Sequence, residues 1–195
     1  MESHRQWLEH REMPEFQRAN LCQADLRHAN LAGADPERAQ LEGALLSRVN
    51  LRHSDLSQAS LAGADLTRAV LKDSNLTGAD LRQARLSNAN LSRAVGDEAA
   101  LYNAVLTGAH LRESSFERTH FEGADLTSAD LTNGSFGESY FYGANLARAN
   151  LAGTDLMGVN LREAILRGRT CDTRTSVRPA CSRLIWKGPI WKEHS

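Results

Sequence analysis

Residues 64–91 read ADLTR AVLKD SNLTG ADLRQ ARLSN ANL, one five-residue word written over and over. The word is a small residue, then most often Asp or Asn, then Leu, then two positions that are polar or Gly. Counted in steps of five from Leu66, the register runs from Phe16 to Leu166, which is 31 positions. Leu fills 24 of them and Phe five, so only Pro36 and Gly96 break the row. A repeat this strict governs the reading of every single residue.

Ordinary periodicities have no use for such a row. On an α-helix five residues advance about 500°, or roughly 140° net, which scatters the leucines around all sides. On a flat strand a period of five sends them alternately to opposite faces. The row becomes a core only if the chain turns a corner about every five residues and points each Leu at a common axis. The chain then winds as a solenoid whose coils stack at about 4.8 Å, the strand-pairing distance. Two residues before each Leu runs a second row, 21 Ala among 31 positions, whose small side chains let the corners close. Ten of the 14 Gly fall two residues after a centre, where a type II turn needs positive φ. Corners carrying Arg, Gln, Ser or Glu there are expected to be type I.

The A-(D/N)-L-x-x word resembles the pentapeptide repeat family over residues 14–168, and the phrase HRQWLEH at 4–10 resembles the lead-in of many of its members. The resemblance implies an all-β fold, a right-handed quadrilateral β-helix of about twenty residues per coil. The residues add support of their own: Phe116 and Phe136 are twenty apart, as are Phe121 and Phe141, so each pair shares a column on such a coil. Glu98, Arg118 and Glu138 then form a ladder of alternating charge on one corner. Gly96 removes a core side chain. Residues 95–98 are read either as a local defect whose space Phe116 and Phe136 fill or as a loop bulging outward for a partner.

Three segments follow. Residues 1–13 are expected to form an N-terminal helical cap, since a solenoid end exposes apolar core and unpaired edges; Ser3 and Gln6 have capping-box spacing, with Trp7, Leu8 and Met13 to cover the first coil. Residues 14–168 are the β-helix. Residues 169–195 carry six Arg/Lys interleaved with Leu184, Ile185, Trp186, Ile190 and Trp191. They read either as a C-terminal cap or as a dimerisation segment, which some gyrase-protecting relatives have at this end.

The composition, 24% charged and 41% hydrophobic with a net charge of −1, is that of a soluble globular chain and names no partner. No apolar run approaches the ~18 residues of a membrane helix, and the charged start lacks a signal-peptide core. A cytoplasmic location is expected, with reduced thiols as the default; Cys171 and Cys181 have spacing that allows a cross-link, and Cys22 is remote. No catalytic constellation converges. His28 and His53 fall on different walls, and His110 and His120 on opposite ones. No nucleophile motif or phosphate loop is present, and neither a metal nor another cofactor is expected. The repeated Asp and Asn have the side chains that bond nearby backbone at corners, as Asx residues do in turns. The chain reads as a non-enzyme.

Function is then expected on the outward walls. Sorted by column, the first wall (centres 16, 36, 56 and so on) carries nine acidic side chains against three arginines, a net of −6. The third wall (centres 26, 46, 66) carries six arginines against three aspartates, a net of +3. The second and fourth come to −2 and +1. Asp97, Glu98, Glu117 and Glu138 are the candidate partner-binding residues. One reading is an interaction scaffold for a protein partner, with no direct nucleic-acid or membrane binding and a homodimer as one arrangement. The other comes from the resemblance, since some family members protect DNA gyrase or topoisomerase IV from antibiotics as rod-shaped mimics of DNA. Six net charges along a rod of about 37 Å amount to about one per 6 Å, against one per roughly 1.7 Å in duplex DNA.

Overall fold

Every fifth residue turns the chain, and four turns close one coil. The computed structural model describes residues 20–168. Within them 25 parallel bridges join residue i to residue i + 20, from Asn20↔Gln40 to Asn145↔Ile165. The coil is therefore twenty residues long and four-sided, and at about 4.8 Å per coil the described rod is roughly 36 Å long. No helix among the described residues is long and apolar enough to cross a membrane.

The word at 65–69 accounts for all five of its backbone N–H groups. Asp65 donates to Ala44 O of the preceding coil at 2.9 Å, while Leu66 and Arg68 donate to Arg85 O and Ser87 O of the next at 2.8 and 2.9 Å. Ala69 closes the corner on Leu66 O at 2.9 Å. The fifth, Thr67 N–H, points along the wall and donates to the Asp65 carboxylate at 3.1 Å. All sixteen Asp and Asn that precede a centre among the described residues accept this same bond, from Asn20 with Cys22 to Asn160 with Arg162. The apparent acidic array is structural, because it feeds the one donor that coil stacking leaves over.

The centres from Leu26 to Leu166 point inward and are nearly all fully buried, with the Ala row beside them in one continuous core. Where the second row is polar, the hydroxyl finds a carbonyl: Ser54 Oγ donates to Leu51 O at 2.7 Å and Thr154 Oγ1 to Leu131 O at 2.9 Å. Phe116 stacks on Phe136 with centroids 6.0 Å apart, and Phe121 on Phe141 at 4.7 Å, each pair one coil apart as their spacing implies. Pro36 has no N–H to give the Asp55 carbonyl, so the 35↔55 bridge is missing, and Asp55 N–H to Ala34 O and Arg38 N–H to Ser57 O, each at 3.0 Å, join the coils there.

Two expectations need correction, and of the two readings at Gly96 the local defect holds. Corners without Gly are not type I: the second corner residue has positive φ at all thirty described corners, twenty of them non-glycine, such as Arg68 at 59°. A type I turn would aim its N–H away from the carbonyl of the coil above. No loop bulges at Gly96, where Gly96 N–H bonds Ser115 O at 2.7 Å, Ala99 N–H bonds Gly96 O at 3.1 Å, and Val95 pairs with both Asn75 and Ser115. A Cβ on Gly96 would lie 2.1 Å from Phe116 Cε1, so the Phe116 ring fills the vacancy and the wall stays straight. The Glu98–Arg118–Glu138 ladder has a single rung among the described residues, Arg118 to Glu98 at 3.2 Å. The helical cap at 1–13 and the segment with Leu184, Ile185, Trp186, Ile190, Trp191, Cys171 and Cys181 lie outside the described residues.

Candidate functional site on the outward walls

A core filled by leucine and phenylalanine leaves the chemistry to side chains at three outward positions of each word. On the first wall the described residues carry eight acids against Arg38 and Arg118, a net of −6. The four candidate residues differ in what they are free to do. Asp97 is half-buried, and its Oδ1 accepts from Ser115 Oγ at 2.7 Å and Glu117 N–H at 2.9 Å. It thereby replaces the Asx residue that Ser115 is not, which makes it scaffold. Glu98 is 63% exposed and meets Arg118 at 3.2 Å. Arg118 then turns back along its own coil to Glu117 Oε2 at 3.6 Å, and Glu117 Oε1 accepts from Ser135 Oγ at 2.8 Å. Glu138 is exposed and its carboxylate pairs with no cation among the described residues.

Elsewhere four aspartates are each paired with an arginine. On the third wall Arg27 grips Asp25 at 2.6 Å, and this hydrogen bond holds the Asp25 carboxyl down at about 2. Arg48, Arg68 and Arg148 project from exposed corners of that wall. On the fourth wall Arg93 pairs with Asp73 at 2.6 Å and holds that carboxyl below its ordinary value. Cys22 is exposed and donates to Glu42 Oε2 at 2.9 Å, which pushes its thiol up and away from thiolate chemistry. No group of three His, Cys, Asp or Glu among the described residues is placed to hold a metal ion.

The second wall holds what the sequence reading passed over. All three tyrosines of the chain, Tyr102, Tyr140 and Tyr142, project from it with His120. Tyr102 stacks on His120 with centroids 4.9 Å apart, and His120 on Tyr140 at 4.7 Å with 9° between the planes. Tyr140 and Tyr142 are 41% and 44% exposed. His120 Nδ1 sits 3.1 Å from Glu122 Oε1, while Glu122 Oε2 is shielded from solvent with no hydrogen-bond partner among the described residues. Burial, then the Glu122 charge, push the Tyr102 phenol up, and a hydrogen bond to Glu163 does the same for Tyr142, so both are neutral near pH 7. The signal was present: 120 and 140 share one column, and 102, 122 and 142 share another.

The Pentapeptide repeats family model matches the chain in eight copies, over residues 15–35, 37–73, 74–112, 104–143 and 139–168. The chain belongs to the pentapeptide repeat family. Pentapeptide repeat proteins fold as right-handed β-helices, which gives the twenty-residue coil its hand. Among solved structures, the chain is similar to HetL from the cyanobacterium Nostoc sp. strain PCC 7120, a family member involved in heterocyst differentiation regulation. The identity is 31% over 85% of this chain and 93% of HetL, with a TM-score of 0.25. Rfr23 from the cyanobacterium Cyanothece 51142 is 34% identical over 43% of this chain and 60% of its own, with a TM-score of 0.25. A trypsin-treated variant of QnrB1, a plasmid-mediated fluoroquinolone resistance protein, is 19% identical over 76% of this chain and 79% of its own, with a TM-score of 0.44. No curated protein sequence matches this pentapeptide repeat chain.

Proposed function

We propose that this pentapeptide repeat protein is a cytoplasmic, non-enzymatic scaffold that binds a protein partner through its acidic first wall. The supporting observation is the division of labour among its acids. All sixteen Asx side chains before a centre serve the backbone, whereas Glu98, Glu117 and Glu138 project from the corners with one arginine among them. The reading requires no cofactor, membrane or nucleic acid. Residues 169–195, through Leu184, Ile185, Trp186, Ile190 and Trp191, are proposed to set the oligomeric state; removing them is expected to turn a dimer into a monomer in light scattering. The test of the acidic wall is retention of partners by the intact protein against Glu117→Lys with Glu138→Lys, in parallel with Arg68→Glu and Arg148→Glu on the opposite wall. Loss with the first pair only supports the reading; equal retention by both pairs overturns it.

A second reading is protection of DNA gyrase or topoisomerase IV by mimicry of DNA, favoured by the sign of the first wall. Its net charge of −6 along the described rod gives about one charge per 6 Å, well below duplex DNA. The deciding assay is gyrase supercoiling with and without a quinolone. Protection that Glu117→Lys with Glu138→Lys abolishes would establish this reading, and absence of gyrase binding at low salt, where screening is weakest, would end it.

A further inference from the structure

Glu138 lies two residues before Tyr140, and Arg118 with its two glutamates lies two residues before His120. Two residues of chain span at most about 7 Å, and less where they turn a corner. The acidic column therefore sits directly across one corner from the stacked rings of the second wall. We propose that this corner, with Glu98, Glu117 and Glu138 on one side and Tyr102, His120, Tyr140 and Tyr142 on the other, is one recognition surface for an arginine-bearing segment of a protein partner. The proposal rests on the acidic-wall reading above and names the chemistry of the partner.

Two observations, with the chemistry of the guanidinium, point to arginine. The excess charge at the corner is negative, with Glu138 lacking a cation among the described residues. The rings are ordered in advance, since the Tyr102–His120–Tyr140 stack holds them in place through contacts of 4.9 and 4.7 Å. Tyrosine brings large contact area at little entropic cost and is enriched where binding energy concentrates. A guanidinium stacks flat on an aromatic ring and forks onto a carboxylate, neither of which an ammonium does as well. The same negative excess opposes a nucleic-acid strand, whose phosphates the corner would repel. The three tyrosines also report on the surface directly, because the chain has no others.

The test labels the full chain with ¹³C-tyrosine and titrates it with a synthetic Arg-Gly repeat peptide, its Lys-Gly counterpart and an oligo-dT strand near 0.15 M salt. The Arg peptide is expected to move the Tyr140 and Tyr142 ring signals and to bind about threefold tighter than the Lys peptide. Tyr140→Ser with Tyr142→Ala should weaken Arg-peptide binding roughly five- to thirtyfold. Both replacements already occur in their columns, at Ser60 and Ala62, so the coil accepts them. Glu117→Lys with Glu138→Lys should weaken it as well. The proposal is overturned by unmoved tyrosine signals, by equal Arg and Lys binding, by full binding in either variant, or by tighter binding of oligo-dT. Full binding in the tyrosine variant alone leaves the acidic wall standing; full binding in the charge-reversed variant removes that reading too.

Discussion

Arg68 shows what the corner demands of a single residue. Its φ of 59° lies in the left-handed region, yet it bears a side chain, because its N–H must reach Ser87 O on the next coil. The twenty non-glycine residues at such corners include none that is β-branched, the class for which positive φ is hardest. Arg68→Val should therefore cost about 0.5–3 kcal/mol, whereas Arg68→Gly should leave the melting point nearly unchanged, since Gly63 fills the same position with open space around it. Thermal melting of the two variants decides this, and equal effects would contradict it. Gly96 poses the opposite case. Restoring the repeat with Gly96→Leu drives a side chain into the Phe116 ring and should cost at least about 1–3 kcal/mol, lowering the melting point by roughly 3–10 °C for a chain of this size. Adding Phe116→Leu should recover most of the loss. Failure of the double variant to recover would mean that the ring does not occupy the vacancy.

At the scale of the coil, the fold is held by three backbone links per word to neighbouring coils and by an inward Leu. Leu76 is fully buried, so Leu76→Ala should cost about 2–5 kcal/mol. Leu76→Asp should abolish cooperative folding, since a carboxylate would face a dry axis. Circular dichroism during heating checks both, and an unaltered melt of the Asp variant would refute the inward assignment. This much was legible in the sequence, because a period of five between Leu66 and Leu71 leaves corner-turning as the one way to bury both. The Asx-to-backbone bonds were legible too, from the chemistry of residues such as Asp65. The backbone at Arg68 was not, because side-chain type permits both turn types and only the next coil's carbonyl chooses between them. Nor was the straight wall at Gly96, which depends on how the Phe116 ring leans. Arg118 could be placed in a column but not oriented, and its choice of Glu117 over Glu138 is a matter of rotamer. The tyrosine strip was readable by column and was hidden by attention to charge.

For the whole rod, acids bound to arginines and corner donors link stability to pH. The Asp25 carboxyl is held at about 2, and those of Asp73 and Asp80 are lowered by their arginines. Burial would raise Asp125, but hydrogen bonds from Thr127 and Thr107 outweigh it and leave it lowered. Each folded value lies below the unfolded one of about 3.9, so the contribution is present above pH ~4 and is lost as pH falls toward the folded values. The melting point should accordingly change little between pH 5 and 8 and fall between pH 4 and 2; a decline beginning above pH 5 would place the coupling elsewhere. The walls themselves exist only if every coil contains twenty residues, so that one column carries Arg48, Arg68 and Arg148. Spin labels at positions 48 and 148, on a chain with its three Cys replaced by Ser, measure this directly by double electron–electron resonance. Five coils at about 4.8 Å predict a narrow distribution centred within a few Å of about 24 Å. A broad distribution, or a distance beyond about 35 Å, would contradict the stacked coil and with it every wall on which the proposed function rests.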